Sequence, residues 1–93
     1  MKESKDASNR LSIDLGNPDQ HILIEIYAKR LVEKFEAVIT QKIGGLDQLY
    51  WDFDLSGTKF VLHYDNFMGI SIFVENGAND DLLRKVAAKL LNE

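Results

Sequence analysis

The chain has 93 residues, 45% apolar and 28% charged, which is enough for one modest globular core. Its net charge of −4, from 15 acidic against 11 basic residues, argues against a nucleic-acid or anionic-membrane surface, since both need clustered Lys and Arg. With no cysteine, disulfides, thiolate nucleophiles and Cys-ligated metal sites are excluded, and a reducing compartment fits.

Residues 1–9 are polar and read as a flexible tail, with a single domain over residues 10–93. The opening MKESKDASNR lacks the apolar run of a signal peptide. The most apolar stretch, residues 22–28, is interrupted by Glu25 and too short to span a bilayer. The cytoplasm is the expected location. Leu11, Ile13 and Leu15 alternate with Ser12 and Asp14, the pattern of a short strand. Asn17, Pro18 and Gln20 form a helix start, with Asn17 as cap, Pro18 at the first position and Gln20 three residues after the cap. Leu23, Ile24, Tyr27, Ala28, Leu31 and Phe35 then recur at helical spacing, which predicts a helix over residues 18–36. Residues 37–43 (AVITQKI) include β-branched residues and run into Gly44 and Gly45, as a strand entering a turn does.

Residues 49–75 carry the strongest pattern. Three alternating segments, LYWDFDL, TKFVLHY and ISIFVE, are joined by Ser56-Gly57 and by DNFMG. A two-residue turn sets Leu55 opposite Thr58, Asp54 opposite Lys59, Phe53 opposite Phe60 and Trp51 opposite Leu62. Leu49, Trp51, Phe53, Leu55, Phe60, Leu62, Tyr64, Ile70, Ile72 and Val74 then share a core face, with Trp51 as its central anchor. Tyr50, Asp52, Asp54, Lys59, Val61, His63, Asp65, Ser71, Phe73 and Glu75 share the other. Asn79 and the acids Asp80 and Asp81 open a last helix with Leu83, Val86, Ala87 and Leu90 on one side. The expected architecture is α+β: a two-layer sandwich in the order β-α-β-β-β-β-α, an antiparallel meander with two helices on one face.

Several groupings invite chemistry and weaken when placed. Asp52 and Asp54 could share a divalent cation, but any polar-out strand produces D-x-D, and Lys59 stands opposite Asp54. His63, Ser71 and Asp65 contain the residue types of a hydrolase, yet a flat sheet face offers no pocket or nucleophile elbow. Gly44-Gly45 lacks the Lys-Ser/Thr of a phosphate loop. No catalytic residue, metal ligand or cofactor is assigned, and no nucleic-acid or membrane partner is expected.

The order of Gly45, Leu46 and Asp47, then residues 51–57 (WDFDLSG), then Leu62, His63 and Tyr64, then residues 70–75 resembles a small uncharacterised bacterial family of unknown function. The resemblance covers about residues 20–92. It implies a compact α+β domain and no activity.

The mixed face, with aromatic residues set among charges, is the candidate working surface. Tyr50, Asp52, Asp54, Val61, His63 and Phe73 are the candidate partner-binding residues. The expected function is a non-catalytic protein-interaction module, immunity- or inhibitor-like in its most concrete form. A homo-oligomeric or housekeeping domain is the alternative, and a small enzyme built on His63 and nearby carboxylates is the remote one.

Overall fold

Ser56 and Gly57 both adopt positive φ, 52° and 88°, the conformation that lets a two-residue turn follow the twist of its strands. The Gly57 N–H donates to Asp54 Oδ1 at 2.8 Å. Around this turn the pairs Leu55–Thr58, Asp54–Lys59, Phe53–Phe60 and Trp51–Leu62 stand opposite one another, as the turn length requires. Tyr64 pairs with Ile70 across the next turn.

The computed structural model describes residues 2–92. In chain order the elements are β1 (Lys2–Lys5), β2 (Leu11–Gly16), a 3₁₀ turn (Pro18–Gln20), α1 (Leu23–Phe35), β3 (Val38–Gly44), β4 (Gln48–Leu55), β5 (Thr58–Asp65), β6 (Gly69–Val74) and α2 (Asp80–Leu91). The strands form a single antiparallel sheet in the order β1-β2-β6-β5-β4-β3. After β2 the chain crosses by way of α1 to the far edge, then meanders back until β6 lies beside β2. Both helices cover one face, the α+β arrangement expected.

Ile24, Tyr27, Ala28 and Leu31 of α1 and Leu83, Val86, Ala87 and Leu90 of α2 are buried. They meet Leu11, Ile13 and Leu15 of β2, Phe53 and Leu55 of β4, Phe60 and Leu62 of β5, and Ile70, Ile72 and Val74 of β6 in one core. Tyr27 donates its hydroxyl to the Leu15 carbonyl at 2.8 Å, which satisfies the polar end of a buried ring.

Three local expectations change. The helix expected over residues 18–36 divides into the 3₁₀ turn and α1; Gln20 Oε1 accepts from the Asn17 N–H at 2.9 Å, and Glu36, at φ 56°, ends α1. Lys2–Lys5, expected within a tail, forms the edge strand β1. Its residues are all exposed, so it has no buried side from which an alternating pattern could arise. Trp51 is only half-buried and packs against the margin of the core. At this end of β4 the fit against α1 is loose: Trp51 lines a hollow with Glu25, Ala28 and Val32 of α1, and the Lys42 ammonium lies over the indole at 4.2 Å.

Gly69 marks the tightest backbone approach. It has φ of 97°, and a Cβ there would collide with the Gly16 carbonyl oxygen, at the irregularity where β2 meets β6. Gly69→Ala should therefore cost about 2 kcal/mol or more. Gly45→Ala, where a Cβ meets nothing, should stay within about 0.5 kcal/mol. Urea unfolding of the two variants checks this; equal midpoints would remove the close-approach argument.

Candidate functional site

The register carries each row of the open face across more strands than the hairpins alone. Tyr50 stands opposite His63, His63 opposite Ser71, Ser71 opposite Asp14, and Asp14 opposite Lys2. The next row runs through Asp52, Val61, Phe73, Ser12 and Ser4. Asp54 and Lys59 form the third, and the Lys59 ammonium ion-pairs with Glu75 at 3.5 Å.

The six candidate residues share this face and differ in access. Tyr50 and Asp54 are exposed, Asp52, His63 and Phe73 are half-buried, and Val61 is buried. Val61 lies between Asp52 and Phe73 in the central row and is 5% exposed. The alternation predicts it in contact with solvent; the structure keeps it on the open face but buried. Phe73 is roofed by Arg10, whose guanidinium lies 4.4 Å from the ring centroid. Asp6 holds Arg10 through a 2.8 Å ion pair, and Arg10 donates to the Glu75 carbonyl at 2.9 Å. Sequence reasoning missed Arg10 because its partner ring is 63 positions away in the numbering; only the β2–β6 pairing brings them together.

The carboxylates divide by task. Asp54 accepts from the Gly57 N–H and so belongs to the hairpin turn. Asp65 belongs to the following turn: its Oδ1 accepts from the backbone N–H of Phe67 at 2.7 Å and of Met68 at 3.2 Å, and its Oδ2 from Gln48 at 2.9 Å. The Phe67 N–H above all holds the Asp65 carboxyl below its ordinary range. Asp52 is left on the face without such a duty. Among the described residues, no group of three His, Asp or Glu side chains could hold a metal ion.

His63 stacks nearly flat on Tyr50, with ring centroids 4.2 Å apart and planes at 11°. Its Nε2 is buried without a hydrogen-bond partner among the described residues. It lines a hollow of about 320 Å³ with Lys2, Ser4, Ser12, Asp14 and Ser71. Asp52, Asp54 and Asp65 are not among the lining residues, and Asp14, which the sequence reading did not group with His63, is. The order along the row opposes hydrolase chemistry, which needs the base between nucleophile and acid. Here His63 stands between Tyr50 and Ser71, and Asp14 lies beyond Ser71.

A model of the family DUF3630, described as a protein of unknown function, matches residues 1–91, and the chain belongs to that family. No curated protein and no solved structure matches it. Among the described residues, no helix is long and apolar enough to cross a membrane.

Burial pushes His63 below its ordinary pKa of 6.5, with Asp65 opposing. The folded chain therefore binds this proton less readily than the unfolded one. The stability it reflects is present above about pH 6.5 and is lost as pH falls from there through the lowered folded pKa. The lowered carboxylates Glu3, Asp6 and Asp65 start from 4.5, 3.8 and 3.8, so their losses come at more acid pH. His63→Asn should flatten the decline in urea midpoint between about pH 6.5 and 5. An unchanged slope would show that His63 does not drive it.

Proposed function

We propose that this DUF3630 chain is a non-catalytic protein-interaction module that docks a partner protein on the open face of its sheet. The observation that supports this most is the uncovered face itself. Tyr50, stacked on His63, stands beside the row of Asp52, Val61 and Phe73. Six strands of four to eight residues give a face of at most about 26 by 24 Å, roughly 500 Å² once the shorter strands are allowed for. A standard interface buries about 800 Å² per partner, so a partner would cover this face and its rim together.

The chemistry of the face favours a basic partner. Asp14, Asp52, Asp54, Asp65 and Glu75 outnumber Lys2, Lys59 and Arg10, and the whole chain carries a charge of −4. Such a surface steers and orients a cationic protein, and masking one in the manner of an immunity or inhibitor protein is the most concrete form of the proposal. Tyr50 supplies the aromatic anchor that interface hot spots favour. The cysteine-free composition favours action in the cytoplasm.

Affinity capture from the native organism, identification by mass spectrometry and titration of the recovered partner test this. Tyr50→Ala and Asp52→Lys should each weaken binding at least about tenfold, and added salt should weaken it further. Lys85→Ala on the helix side should bind as wild type. If both face variants retain full affinity while folded, this surface is not the docking site.

A further inference from the structure

One edge of the sheet carries exposed apolar side chains on both of its faces. Val38, Ile39 and Ile43 of β3 are 61%, 39% and 51% exposed; Ile43 lies beside Tyr50 on the open face, and Ile39 lines a hollow with Val32 of α1 on the helix side. All seven residues of β3 are exposed. The strand has a neighbour on one side only, so its outer backbone row is open to pairing. On the helix side, a hollow of about 360 Å³ between α1 and β3 is lined by Ala28, Val32, Ile39, Lys42 and Trp51.

The other edge is built differently. β1 has four residues, KESK. Arg84 of α2 grips Glu3 through contacts of 3.0 and 3.3 Å. A short, charged, tethered strand is how natural sheets blunt an edge, and β3 lacks the shortness and the tether.

We infer that β3 is the seam of a homodimer, in which two copies pair this strand antiparallel about a two-fold axis normal to the sheet. The axis keeps both helix layers on one side and sets the two hollows facing each other across the joined strands. A second copy fits better than a foreign strand on grounds of charge. The rim of the hollow carries Glu25 and Glu33 against Lys29 and Lys42, so like copies meet as balanced surfaces despite the acidity of the chain. Because β1 is blunted, the pairing closes at two copies and does not propagate into a fibre.

The seam is short. Seven residues span about 23 Å, and the register shift between Ile39 and Gln41 interrupts the row. So short a seam falls in the size class of transient contacts, and the dimer is expected to form reversibly, with dissociation on the order of micromolar or weaker set by packing quality.

Sedimentation equilibrium from about 5 to about 500 µM brackets that range. The wild-type mass should rise from 10.6 kDa towards twice that value, and hydrogen exchange of the β3 amides should slow as concentration rises. Ile39→Lys, 39% exposed and on the helix side of the strand opposite Phe53, should keep the thermal midpoint, stay monomeric and lose the concentration-dependent protection. A wild-type chain that remains monomeric throughout overturns the inference, as does a variant that assembles equally well. Assembly abolished by Asp52→Lys but untouched by Ile39→Lys also overturns it, by assigning self-association to the open face. Partner binding is read separately: Ile39 is not on the docking face, so monomeric Ile39→Lys chain should still bind the partner, and either proposal can fail alone.

Discussion

Side-chain parity across the Ser56-Gly57 turn is the constraint on which the rest depends. Strand residues alternate faces with a period of two, so one residue more or fewer in this turn would reverse every side chain of one strand relative to the other. Phe53, Phe60 and Leu62 are all 0% exposed, and burying each such side chain is worth about 1.5–3 kcal/mol. A slipped register would forfeit several of these at once. The positive φ of Ser56 and Gly57 therefore does more than close a hairpin: it decides which residues become core and which become surface.

The chain path decides how well each part of that core is covered. The crossover through α1 carries the chain to the far edge, and the meander returns β6 to β2, where α2 packs. Cover is therefore densest over β2, β6 and β5 and gives out towards β3. This explains why Trp51 shares the parity of Phe53 and yet is only half-buried, at a hollow beside α1 that Lys42 helps to line. Lys42 lays its cation on the indole face, a contact worth about 0.5–1 kcal/mol at an exposed site. It also places a charge beside the open edge.

The hairpin registers, the core set of β4–β6 and the buried side of α2 were legible because each rests on local periodicity joined by short turns. What was not legible depends on pairing between distant segments. β1 carries no pattern because neither of its faces is buried, and its place comes from pairing with β2 and from the Glu3–Arg84 contact. The roof that Arg10 makes over Phe73, and the meeting of Asp14 with Ser71, both follow from β2 lying against β6. The register places the six candidate residues on one face of the sheet. Burial of Val61 escaped the alternation rule, which assigns a side and says nothing of what crowds it.

The same row logic bears on function. His63 combines a buried, unpartnered Nε2 with a lowered pKa, features that often mark active sites. Its position in the row gives them another cause. The ring lies flat on Tyr50, and its burial, opposed by the Asp65 charge, favours the neutral imidazole. Neither Asp54 nor Asp65 is free to orient it, since each is engaged by backbone N–H groups of its own turn. A Ser-His-Asp triad needs the histidine between the serine and the acid. This sheet sets the serine between the histidine and Asp14, and the histidine ring lies on Tyr50, so what the row holds in place is the aromatic residue of the open face.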